Sequence, residues 1–201
     1  MALATYADLQ TAVGNWLARD DLAPYIPDFI TLFEAAACRR LRVRLMETTA
    51  TLTPSSGVAT IPSDYLGHRR VTWTGSPRIE LTYLPPQVFQ NDWPVSISGT
   101  PSVYTIEGSN LRLAAQSDTD LEFDYYQRTV AISDTLNWLF ANHPDAYLFG
   151  TLCEANAFNK GQAFEAASIW KTRRDEVFDE IQKVDFNERT GMSMRIVGIT
   201  P

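Results

Sequence analysis

Two histidines, His68 and His143, are the chain's whole supply of imidazoles, and neither stands where a metal or catalytic site would need it. His68 lies in Gly67-His68-Arg69-Arg70 beside a predicted strand, and His143 precedes Pro144 at the start of a predicted helix. No H-x-x-H or H-E-x-x-H pair occurs, so zinc-type ligand geometry has no local source. No G-x-S-x-G elbow, Walker loop or G-x-G-x-x-G turn occurs either, which leaves nucleophile activation and phosphate cradling without a motif. Asp118 and Asp120 alternate within Gln116–Asp120 but lack the ligand series and glycine of an EF-hand, and read as a surface turn. No catalytic residue, no metal ligand and no cofactor is expected, and the chain reads as a non-enzyme. Carboxylate pairs that meet only in space keep one alternative open, a carbohydrate-binding or glycan-hydrolysing module.

The remaining chemistry is that of contact. Arg39, Arg40, Arg42 and Arg44 crowd the end of a predicted helix. Favourable placement near a helix C-terminus, with Glu34 and Glu47 as local partners, is one reading. A subunit interface facing a neighbour's acidic patch is the other. Of 17 basic residues only three are lysines (Lys160, Lys171, Lys183), and arginine suits fixed bidentate contacts, although a GC-rich codon usage gives the same bias. The net charge of −7 argues against a protein that grips a phosphate backbone. Nine aromatic residues punctuate the middle of the chain, among them Tyr65, Trp73, Trp93, Tyr104 and Tyr125. Core packing accounts for most, while a sugar-stacking surface built on Trp93 or Tyr125 is the alternative.

The stretch Glu188–Pro201 has no helical period, yet it ends with Ile196, Val197 and Ile199. An apolar extended terminus suits addition to a partner's sheet edge or groove.

These residues need elements to hold them. Thr5 with Asp8 three residues on forms an N-terminal cap, after which Tyr6, Leu9, Val13 and Trp16 recur at helical spacing. Arg19–Pro24 interrupts. Pro27 opens a second helix with Ile26, Ile30, Phe33, Ala37, Leu41 and Leu45 on one stripe. From Thr48 to Ile132 the pattern turns to β-structure: a hairpin of Thr49–Thr53 and Val58–Ile61 about Pro54–Gly57, strands at Arg69–Trp73 and Ile79–Leu84, a hairpin of Val103–Glu107 and Asn110–Leu113, and clean alternation over Leu121–Tyr126. The Leu84–Gly99 connection, with Pro85-Pro86 and Trp93-Pro94, reads as irregular loop. Helical period returns with a short capped turn over Thr135–Ala141, a helix opened by Pro144 (Leu148, Leu152, Ala155, Phe158), and a last helix over Gln162–Phe186 with Phe164, Ala167, Trp170, Val177, Ile181 and Val184 inward.

The expected fold is α+β: an antiparallel bundle of about four helices, from residues 1–47 and 133–187, around an inserted small antiparallel β-sheet or partial barrel, 48–132, with an extended C-terminal arm, 188–201. At 201 residues such a chain buries roughly 70% of its unfolded surface and needs no disulfide, so Cys38 and Cys153 are expected to be reduced. No run approaches a membrane span and no signal peptide is visible, so a cytosolic product is expected.

The ordered set Pro27–Arg42, Ile61-Pro62-Ser63-Asp64-Tyr65-Leu66, Gly99-Thr100-Pro101-Ser102-Val103-Tyr104, Trp138-Leu139 and His143-Pro144-Asp145-Ala146-Tyr147-Leu148-Phe149-Gly150 resembles head–tail adaptor (connector) proteins of tailed bacteriophages, of the tail-tubular or gatekeeper type. The resemblance spans almost the whole chain. It implies a structural virion protein at the head–tail junction, forming a ring with copies of itself, commonly a dodecamer, beneath the portal protein. Such a ring extends the DNA channel for genome ejection without binding DNA specifically, and it offers a platform to a nozzle, tail or fibre protein. By the same resemblance the terminal residues Met192, Met194, Arg195, Ile196, Val197 and Ile199 would bind the portal. A ring needs heterologous contacts, which the residues themselves offer in mixed-sign helix faces and in Arg39, Arg40, Arg42 and Arg44.

Overall fold

The computed structural model describes residues 3–94, 97–133, 135–158 and 164–190. In chain order the elements are α1 (Tyr6–Leu17), α2 (Ile26–Arg40), β1 (Glu47–Leu52), β2 (Val58–Thr60), β3 (Tyr65–Trp73), β4 (Ile79–Glu80), β5 (Thr82–Tyr83), α3 (Pro86–Asp92), β6 (Ile97–Ser98), β7 (Val103–Glu107), β8 (Asn110–Leu113), β9 (Ala115–Gln116), β10 (Leu121–Gln127), α4 (Trp138–Asn142), α5 (Pro144–Phe158) and α6 (Phe164–Thr190). Two compact units result, Met1–Leu45 with Thr129–Pro201, and Met46–Arg128. The fold is thus a mixture of helices and sheets.

In the helical unit, α1 starts on a reciprocal cap: Thr5 Oγ1 accepts from the Asp8 N–H at 3.1 Å, and Asp8 accepts from the Thr5 N–H at 3.0 Å. The helix stops at Ala18, which adopts the left-handed conformation with φ 51°. α5 is the hub, packing on α1, α2, α4 and α6. It is apolar on nearly every side, burying Ala146, Tyr147, Leu148, Gly150, Thr151, Leu152 and Ala155, as a helix surrounded by others must. Gly150 lets α2 approach closely, since a Cβ there would lie 2.0 Å from the Phe33 ring. Tyr147 and Phe178 flank that ring at 5.0 and 6.1 Å.

Several helix expectations need correction. α2 ends at Arg40 because Leu41 turns extended, and Met46 rather than Leu45 takes the buried position that follows, leaving Leu45 56% exposed. The short helix begins at Trp138, not Thr135, because Asn137 caps it through the Phe140 N–H at 3.0 Å. α6 runs to Thr190, so Glu188 and Arg189, expected in the arm, are helical. Its last buried residue among those described is Ile181, and Val184 is 52% exposed; the side chain of Phe164 lies outside the described set. Thr129–Ile132 belongs with the helices rather than with the β module: Ile132 is buried and its N–H donates to Glu34 at 2.8 Å.

Among the described residues the β unit holds three sheets rather than one. The first, ordered β1-β10-β3-β4, is antiparallel throughout, pairing Leu52 with Leu121 and Phe123 with Val71. The second, β2-β8-β7-β5, ends in a parallel pairing of β5 with β7, and β6 pairs with β9 in parallel. The β7–β8 hairpin turns at Gly108, whose φ of 61° suits glycine. The hairpin expected at 49–61 does not form. Ser55 and Val58 exchange backbone hydrogen bonds of 2.8 and 3.0 Å, and the chain crosses there from the first sheet to the second. Gly57 permits the crossing with φ 80°, in a place where a Cβ would meet the Ala115 carbonyl at 2.7 Å. Asp118 and Asp120 brace it by accepting from the Ser56 N–H (2.6 Å) and the Thr53 hydroxyl (2.9 Å). The expected loop after Leu84 contains α3, which Pro86 opens at its first turn and Phe89 anchors, 2% exposed. One core of Leu52, Ala59, Val71, Trp73, Leu111, Leu121 and Phe123 with their neighbours serves the unit.

Candidate assembly surfaces

The arginine cluster is divided among different tasks. Arg40 reaches α6, where its guanidinium pairs with Asp175 and, at 3.2 Å, with Asp179, while covering the Phe178 ring at 5.1 Å. Burial raises the affinity of Asp175 for a proton, but hydrogen bonds from Arg174 and Arg40 outweigh that and hold its carboxyl below the usual range. Arg44 pairs with Glu188, and its N–H donates to Asp185 at 2.6 Å. Arg42 folds back on the Cys38 and Leu41 carbonyls at the end of α2, as the helix dipole favours. These long-range partners on α6 correct the expectation of local pairing. Glu34 accepts from Ile132 and Tyr147, and Glu47 pairs with Arg69. Arg39 stands apart, exposed and without a hydrogen-bond or ion-pair partner among the described residues.

Beside α5 runs an apolar groove that sequence reasoning missed. Trp16, expected inside, is 52% exposed and meets Phe149 edge-on at 5.7 Å. Ile169, Trp170 and Val177 of α6 complete the floor of a cavity of about 680 Å³, rimmed by Asp145, Arg173, Glu176 and Glu180. The usable signal was the unpaired Ile169, which breaks the polar pattern of its helix face.

The exposed face of the first sheet is charged. Arg70 pairs with Asp124 at 2.7 Å, Arg78 with Glu122 and Arg69 with Glu47, around a cavity of about 500 Å³. Matched pairs of this kind on an exposed sheet contribute little individually, and Glu80 lines the same cavity beside them. The aromatic residues of the sheets mostly face inward. Tyr125 is buried, stacks on Phe123 at 5.2 Å and donates its hydroxyl to Asp64 at 3.0 Å, so it offers no sugar-stacking surface. Trp93 is half-buried. His68 is also half-buried, 4.5 Å from the Tyr83 ring, with Nδ1 3.3 Å from the Tyr65 hydroxyl. Burial lowers its pKa. His143 instead ends α4, its N–H donating to Leu139 at 2.8 Å.

Among the described residues no group of three or more His, Cys, Asp and Glu side chains is arranged to hold a metal ion, and no helix is long and apolar enough to cross a membrane. Cys38 and Cys153 are free thiols. Met192, Met194, Arg195, Ile196, Val197 and Ile199 lie outside the described residues. The groove beside α5 and the charged sheet face offer surfaces for contact.

A model of the SU10 adaptor protein family matches residues 4–196. The chain belongs to the SU10 adaptor protein family. Membership makes it a phage adaptor, a structural protein, and the matched span takes in both units. No curated protein matches the chain.

Proposed function

We propose that this adaptor is a head–tail connector subunit. It assembles as a ring, expected to be a dodecamer, beneath the portal, extends the DNA channel and presents a platform to a nozzle, tail or fibre protein in the virion. The observation that carries this reading is the adaptor-family match over residues 4–196. The acidic balance fits a channel wall that DNA must slide past. In this reading the helices form an antiparallel bundle that builds the ring, the β unit faces the next tail component, and the residues after the last helix dock on the portal. Met192, Met194, Arg195, Ile196, Val197 and Ile199 supply the contact, in the manner of an extended apolar segment on a sheet edge or groove.

The test is binding of the purified chain to its portal, followed by gradient sedimentation and electron microscopy. The full chain should decorate the portal as a closed ring. A chain truncated after Thr190 should keep its helical and sheet circular dichroism and lose portal binding. A truncated chain that still binds sinks the docking role of the tail, and a full chain that never binds sinks the connector reading.

A further inference from the structure

We infer that the groove beside α5 is filled by the outer face of α2 from a second copy of this chain, with Leu32 on the apolar floor and Arg39 against Glu180 and Asp145. The inference rests on the ring reading and names its contact. Two unmatched surfaces carry it. In the groove, Trp16, Phe149 and Ile169 present an apolar floor in a cavity of about 680 Å³, large enough for several side chains. Its rim carries three carboxylates, and the one rim cation, Arg173, pairs with Glu176 at 3.5 Å. Asp145 and Glu180 are left without a basic partner among the described residues.

The complementary surface is α2. Its inner face buries Phe29, Phe33 and Ala37, and Leu32, Ala35 and Arg39 lie almost opposite, spaced by three and four residues on one exposed stripe. Leu32 is 53% exposed, and Arg39 is the one member of the arginine cluster without a partner among the described residues. A small alanine between them allows a close approach. Groove and stripe are different patches of one subunit, so their contact is heterologous, the kind that propagates around a ring. Apolar floor against leucine supplies burial, and the acidic rim against arginine sets register and excludes wrong pairings.

The experiment uses the full chain assembled on its portal. Arg39→Glu should lower ring occupancy at least roughly tenfold, and Glu180→Arg should do the same, because each places like charges together. The double variant, with the pair reversed, should regain occupancy. Leu32→Cys mixed with Ile169→Cys, in a Cys153→Ser background, should give disulfide-linked chains under mild oxidation only when both are present. Rings indifferent to both charge reversals overturn this contact while leaving the connector reading intact; a groove covered by the chain's own terminal residues would give that result. Absence of any ring from the unmodified chain overturns both.

Discussion

The hydroxyl of Tyr147 donates to Oε1 of Glu34 across a 3.0 Å gap, tying α5 to α2 inside the helical unit. The same hydroxyl accepts from Asn137 Nδ2 at 2.6 Å, and Asn137 also donates to the Val130 carbonyl at 2.8 Å. With the Ile132 N–H on Glu34, these bonds clamp the strand-to-helix return of the chain onto the helices. Tyr147 is 1% exposed, and its burial, with the hydrogen bond and charge of Glu34, keeps the phenol protonated far above its ordinary range.

Tyr147→Phe should therefore destabilise the chain by about 1–3 kcal/mol, since it leaves Glu34 and Asn137 each short of a partner. Glu34→Gln, which keeps an acceptor for both donors, should be milder. Denaturant unfolding at neutral pH measures both, and a Tyr147→Phe midpoint equal to the parent's removes the network from the account of stability.

Gly150→Ala should reverse the usual sign. In a helix interior the change normally stabilises by roughly 0.5–1 kcal/mol. Here the added methyl would lie 2.0 Å from Phe33, and overpacking of this kind typically costs about 1–3 kcal/mol. Combining it with Phe33→Leu should give a loss smaller than the sum of the two single changes, because they share one space. Additive losses, or a stabilised single variant, would show that the contact between α2 and α5 gives way easily.

What could be read from the sequence was what is local. Thr5 with Asp8, Pro at the start of α2 and α5, the hairpin at Gly108 and the alternation of Leu121–Tyr126 each act over a few residues, and each appears in the structure. The pairing of β1 with β10 joins segments more than sixty residues apart, and no turn signal encodes it. The Ser55–Val58 crossing looked like a hairpin because its turn is real while its strands belong to different sheets. α3 was invisible because seven residues with one buried side chain carry no period. The partners of Asp175 and Asp179 lie on another helix, at Arg40, and the groove depends on Trp16 and Ile169 failing to be covered, neither of which periodicity can report.

The Asp175 carboxylate, held by Arg174 and Arg40, gives a dependence on acid. The carboxyl titrates lower in the folded chain than its ordinary 3.8, so its stabilising contribution is complete above about pH 4 and disappears as pH falls through the folded value. Asp175→Asn should cost about 0.5–1 kcal/mol at pH 7, the modest size expected of a partly exposed pair, and this difference should vanish towards pH 2. Unfolding curves at pH 7, 4 and 2.5 provide the check; a difference that persists undiminished in acid would assign the loss to packing rather than charge.

His68 should impose a second, milder window. Its half-buried ring stands on Tyr83 and edge-on to Tyr104 at 6.0 Å, and burial pulls its pKa below 6.5. A neutral ring suits the bond geometry, with the Tyr65 hydroxyl 3.3 Å from Nδ1 while accepting from the His68 N–H at 3.0 Å. The unfolded chain takes up the proton first as pH falls, so stability is full above about pH 6.5, declines below it, and levels off once the native ring is also protonated. His68→Phe keeps the stacking without the titration and should flatten that decline between pH 7 and 5. With only two histidines in the chain, the two imidazole resonances can be followed separately by NMR titration. A His68 midpoint at or above 6.5 would contradict the assignment, because a ring that gains rather than loses proton affinity on folding would make the protein more stable in mild acid.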